Sequence, residues 1–387
     1  MPALELHSGL LQMCLDKYVG KDKRKSFVDI SSNRQLYSIL PMLQSRFKDG
    51  MGQGFRMGAP VEYSDGKSFK INVQVARGNT WQTMDINDSI NPTIQDFQTQ
   101  MTVPWRLSAA HRTYNEAEIT ACSNESQIVD IIVSRRVGMD ADVAEGLEVA
   151  GWAAPTSSSD VRSYWGIPTW LYTQRESDED ADGTVNTGYS GEFASSNETG
   201  DFLNENRPGW TSGPGGISRA TYRYAGNYNH QYTAFTTDDG IEKLRRACLM
   251  TGFDAPYDFP DVKRGMPQRC MYTTLRNKTK WGAEARKQND ANGDDIGARD
   301  MQADIYRIPM FYLPIIESLR YGNDTVTRHP IYGIDWSAAW FAALNGFLLK
   351  EKIFDPNLSH PLSYVHVLFL FGNICVVEAR RCFVLSE

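Results

Sequence analysis

The stretch from Ser123 to Trp152 constrains the fold most, because it reads as one long helix. Ile128, Ile132, Met139, Val143, Leu147 and Ala150 recur at spacings that place them on one helical face. Arg135, Arg136, Asp142, Glu145 and Glu148 fall largely on the other side. Ser123 and Asn124 offer short polar side chains to cap the free amides of a first turn. At ~1.5 Å per residue the rod is roughly 40 Å long. Gly138 and Gly146 each cost about 1 kcal/mol relative to alanine, so packing rather than propensity must hold the rod. A core helix of an α/β enzyme is the plain reading of such a stretch, and what surrounds it points elsewhere.

Before the rod, from Ala59 to Arg112, the apolar period is two. Phe69, Ile71, Val73 and Val75 alternate with Lys70, Asn72 and Gln74, as in a strand with one wet face. Asp65-Gly66 reads as a hairpin turn joining Val61–Tyr63 to that strand. A second alternation runs through Met101, Val103, Trp105 and Leu107. This β excursion has little apolar content of its own, and an isolated ribbon is marginal in water. Another subunit is expected to cover it, with Phe69, Trp81, Phe97 and Trp105 as contact anchors.

The 387 residues suffice for one large domain or two to three ordinary ones. With 41% apolar and 22% charged residues, the composition is that of a globular protein. A net charge of −7 argues against a dedicated nucleic-acid binder. The longest apolar run, Leu362 to Val377, is interrupted by His366, Gly372 and Asn373 and reads as buried strands rather than a membrane span. The first residues lack the charged start and apolar centre of a secretory signal. The six cysteines show no Cys-x-x-Cys spacing and read as scattered core thiols of a reducing cytoplasm.

Elsewhere the signals are local. Lys21 to Lys25 is a basic cluster, and Gly50 to Gly54 lacks the lysine and serine of a phosphate loop. Arg175 to Gly216 is a polar insertion. Within it, Asp178, Asp180 and Asp182-Gly183 begin like a calcium loop, but Tyr189 stands where the closing carboxylate belongs. Thr237 to Gly252 reads as a capped helix with Ile241, Leu244, Cys248 and Leu249 inward. Strands are expected near Gln268–Thr273, Tyr306–Leu313, Ser363–Leu370 and Asn373–Leu385, and a helix over Asn277–Gln288.

The histidines and carboxylates form no recognisable metal or nucleophile pattern. No catalytic, cofactor-binding or metal-binding residue is assigned, and the chain is read as not an enzyme. Its nine tryptophans and eighteen tyrosines suit a sugar groove and a subunit interface alike.

The order of these parts resembles the tailed-phage major capsid proteins of Hong Kong 97-like fold. Those proteins run from an N-terminal arm through an extended two-stranded loop, a long spine helix and a second domain to closing strands. Pro330-Ile-Tyr-Gly-Ile-Asp-Trp336, Val367 to Asn373 and Ala379-Arg-Arg-Cys-Phe-Val-Leu385 are similar to C-terminal segments of that family. Tyr164-Trp-Gly-Ile-Pro168 resembles the segment after its spine helix.

The resemblance implies an α+β capsid fold with a spine helix, an extended β-hairpin loop and two mixed α/β subdomains. The implied division is an N-terminal arm (1–58), an extended loop (59–115), a peripheral domain (116–175), an axial domain with the polar insertion (176–310) and closing strands (311–387). It further implies a virion protein, assembled in the host cytoplasm, that forms hexamers and pentamers of an icosahedral head. The head would enclose double-stranded DNA contacted non-specifically, with scaffold, portal and decoration proteins as further partners. No cofactor and no membrane are implied. No residue here matches the lysine–asparagine cross-link of some members. An encapsulin-like cargo shell, a virion-associated carbohydrate-binding or hydrolysing protein, and an intracellular α/β enzyme stand as the alternatives.

Overall fold

The computed structural model describes residues 38–39, 61–63, 66–75, 98–121, 125–172, 192–194, 208–222, 225–252, 269–290, 308, 310–321, 329–356 and 362–386. The Lys21–Lys25 cluster, Gly50–Gly54, Trp81, Phe97, the Ser123-Asn124 cap and the Asp178–Asp182 loop lie outside them. In chain order come β1 (Val61–Tyr63), β2 (Ser68–Gln74), β3 (Gln98–Pro104), β4 (Arg106–Asn115), α1 (Glu116–Ala121), α2 (Glu125–Gly151) and α3 (Ile167–Trp170). There follow β5 (Glu192–Phe193), β6 (Tyr228–Gln231), α4 (Glu242–Met250), β7 (Arg269–Thr273), α5 (Leu275–Asp290), β8 (Met310–Tyr312) and α6 (Pro314–Tyr321). The chain closes with β9 (Ile331–Asp335), β10 (Ala339–Leu344), β11 (Lys350–Phe354), β12 (Ser363–Val376) and β13 (Phe383–Ser386).

Two sheets and a ribbon carry these elements. The first sheet centres on β12, whose 14 residues pair with β4 along one edge and with β11 then β10 along the other. A single strand therefore replaces the break expected near Gly372. That glycine is needed for close approach, since a Cβ would lie 2.4 Å from Ala342 O. The second sheet has the order β5-β6-β13-β9-β7-β8. Strands β2 and β3 form the ribbon.

The structure corrects the hairpin reading at Asp65-Gly66, because β1 pairs in parallel with β10 rather than with β2. Over Arg106–Asn115, β4 is a full partner of β12. Phe69, Met101, Val103 and Trp105 are buried within the chain itself. Phe69 stacks on Tyr63 at 5.2 Å and lies 4.9 Å from Trp105, which in turn reaches Phe371 at 6.3 Å. The base of the ribbon thus belongs to the subunit's own core, and Phe69 and Trp105 do not await a neighbour.

The long helix α2 runs unbroken for 27 residues through Gly138 and Gly146 and is the longest of the described helices. Ile132, Met139 and Leu147 are buried, as the apolar period requires. Glu148 is the exception: placed on the polar side by the sequence, it is 3% exposed. Near its end the rod leaves the first sheet for the second. There Trp152 meets Tyr272 and Tyr332 edge-on at 5.5 and 5.3 Å.

One π-helical turn, Thr237–Ile241, leads into α4, with Thr236 rather than Thr237 at the cap position. Leu244, Ala247 and Cys248 point inward, and Gly252 follows with φ +73°. Leu249 does not join them, because it lies about 100° round the helix from Cys248, and it is exposed. The second sheet is covered on both faces. Phe383, Leu385, Met271 and Ile331 pack toward the α4 side, while Val384, Cys270, Tyr272 and Ile334 face the core shared with the first sheet.

Candidate functional site

The first sheet has two unlike faces, fixed by the two-residue period of β12. Tyr364, His366, Leu368 and Leu370 are buried on the inner face, beneath α2. A band of charge joins helix to sheet there. Arg112 pairs with Asp142, and Gly138 leaves room for its guanidinium, 3.5 Å from where a Cβ would stand. Arg135 donates to the Thr113 carbonyl at 2.9 Å and to Glu118. Arg136 donates to Glu351 of β11. His366, then Arg136, hold the Glu351 carboxyl down to about 2. His366 Nε2 lies 3.4 Å from Glu351 Oε2, though neither ring nitrogen has an aligned hydrogen bond. Such part-exposed ties orient the rod more than they stabilise it, at roughly 0–1 kcal/mol each.

The outer face carries the opposite parity. Val365, Val367, Phe369 and Phe371 of β12 lie there, opposite Thr113, His111, Ala109 and Leu107 of β4. Across β12's other edge stand Phe354, Lys352 and Lys350. Leu107 is 56% exposed and Phe354 39%, and the four outward residues of β12 are half-buried. Lys352 Nζ sits 4.7 Å from the Phe354 ring, and Lys350 Nζ 4.4 Å from that of Phe347. The face is therefore apolar with a cationic margin. A contiguous apolar patch on a strand face marks an interaction surface. The sequence signal for it was present: an apolar run at both parities means a strand covered on both faces. Among the described residues, α2 lies over the inner face, and Trp105 and Phe347 reach only the Phe371 end of the outer one.

The described residues bring no three His, Cys, Asp or Glu side chains together as a metal cluster. Cys248, Cys270, Cys375 and Cys382 are buried free thiols, in line with their reading as core residues. Burial pushes Cys270 and Cys382 up to about 12 and raises Cys375 further. His329 is satisfied, 2.9 Å from Thr274 Oγ1, while His111 is exposed on the outer face.

No family model and no curated protein matches the sequence. Solved structures do. The capsid chain of cyanophage A-1(L) is similar over 93% of this chain and 96% of its own, with TM-score 0.53 and 11% identity. A capsid chain of a native GTA particle gives TM-score 0.48 at 12% identity, covering 94% and 96%. That of Myoviridae phage XM1 gives 0.43 at 10%, covering 94% and 100%. At 11% identity the likeness to the A-1(L) chain is one of fold. The chain has the α+β fold of a phage capsid protein.

Proposed function

We propose that this chain is a tailed-phage major capsid protein of Hong Kong 97-like fold. In this reading it self-assembles into hexamers and pentamers of an icosahedral head and lines double-stranded DNA without reading its sequence. The observation that carries the reading is the fold likeness to the cyanophage A-1(L) capsid chain over 93% of the residues. The outer face of the first sheet supports it, since Leu107 and Phe354 are exposed there beside the half-buried Val365, Val367 and Phe369. So does the rod, which ties one sheet to the other through Arg136 near its middle and Trp152 just past its end. A shell subunit needs such a stiff wedge with apolar flanks.

The test is negative-stain microscopy of the purified chain across a concentration series, with nuclease-protection assays on particles recovered from lysed host cells. Closed isometric shells holding double-stranded DNA are expected. A chain that stays monomeric at every concentration overturns the capsid role. Shells filled with protein cargo and free of DNA point to the encapsulin-like alternative.

A further inference from the structure

At the end of α2 one buried carboxylate gathers an unusual set of donors. Glu148 Oε1 accepts from Ser38 N at 2.9 Å and from Ser38 Oγ at 2.5 Å, and Oε2 accepts from Ile39 N at 2.7 Å. The Trp152 indole Nε1 donates to the same Ser38 hydroxyl at 2.8 Å and to Oε1 at 3.1 Å. The Ile39 side chain fills the notch at Gly151, where a Cβ would lie 2.5 Å from Ile39 Cγ1. Ser38 and Ile39 are both buried, yet neither enters any described strand pairing. More than 100 residues of chain separate them from the helix they touch.

The receiving side is built without them. Trp152 is held by Tyr272 and Tyr332 of the second sheet, and α2 is pinned further along by Arg112 and Arg136. We infer that Glu148, Gly151 and Trp152 form a peptide-binding socket, which the chain's own Ser38-Ile39 enters as a ligand. The carboxylate reads two successive backbone N–H groups. The indole and carboxylate together read a hydroxyl, and the Gly151 notch admits a branched aliphatic side chain. A buried carboxylate is costly without such donors, so occupancy by this dipeptide, rather than by an apolar one, is favoured. The site is independent of the capsid reading.

The experiment uses the full chain carrying Ser38→Ala and Ile39→Ala, and a fluorescent synthetic peptide spanning residues 33–44. Anisotropy should show saturable binding to this variant. Binding should be at least tenfold weaker to the unaltered chain, whose socket is filled, and for a peptide with alanine at both positions. Equal binding of the two peptides, or none to a variant with native near-ultraviolet dichroism, overturns the proposal. Hydrogen exchange on the unaltered chain decides the matter even if the variant does not fold. The Ser38 and Ile39 amides should open at least tenfold more often than those of β12, and equal opening means the dipeptide is simply core.

Discussion

Leu107→Glu tests whether the outer face of the first sheet is where copies meet. Leu107 sits on β4 opposite Phe371 and is 56% exposed in the isolated chain. Full burial of a leucine side chain is worth about 1.5–3 kcal/mol, so covering the exposed half stabilises a contact by roughly 1 kcal/mol per copy. A glutamate forfeits that gain and adds the desolvation of a carboxylate, for a total of about 3 kcal/mol. At ~1.4 kcal/mol per decade, the concentration at which shells form should rise about a hundredfold. Leu107→Ala removes only the apolar part and should raise it less than tenfold. The subunit itself loses about 1 kcal/mol, which for a chain of 387 residues lowers Tm by roughly 1 °C. Light scattering against concentration reads the first quantity and calorimetry the second. Unchanged assembly in Leu107→Glu would refute the assignment of this face. A collapse of Tm by far more than a few degrees would show the residue to be internal.

Gly372→Ala places a methyl 2.4 Å from Ala342 O and from the Phe341 ring. Urea unfolding should show a loss of about 1–3 kcal/mol, the range for overpacking. Glu148 of α2 and Glu351 of β11 should give stability profiles of opposite sign. Burial raises Glu148 despite its donors Ser38, Ile39 and Trp152, and Tyr272 is the titratable group beside it. Its contribution is present below the ordinary glutamate range and lost as pH rises through its raised value. Glu351 is lowered to about 2, so its contribution is present above that range and lost as pH falls toward 2. Unfolding titrations of Glu148→Gln and Glu351→Gln should each flatten the corresponding limb. Thiol alkylation at pH 8, mapped by mass spectrometry, should leave Cys248, Cys270, Cys375 and Cys382 unmodified until denaturant is added, because all four are buried.

The sequence alone determined the elements whose signal is local. The rod was legible because Ile132, Met139 and Leu147 repeat at helical spacing, and the ribbon because Phe69 to Val75 and Met101 to Val103 alternate. The thiols could be read as core residues from spacing and chain length. Tertiary structure decided which surfaces those elements meet, because partner choice depends on residues far apart in the chain. Asp65-Gly66 carries a turn signal, yet β1 finds β10, some 280 residues on, since a parallel partner leaves no mark near the turn. Phe69 and Trp105 alternate like interface anchors, but Tyr63 and Phe371 bury them in the subunit's own core. Glu148 falls on the polar side of the helix by angle, and is buried because Ser38 and Ile39, more than 100 residues earlier, bring the donors a carboxylate needs. The run from Leu362 to Val377 reads as buried strands with a break near Gly372, and pairing with β4, β10 and β11 makes Ser363–Val376 a single strand. Only the tertiary structure showed that α2 lies over one face while Leu107 and Phe354 are exposed on the other.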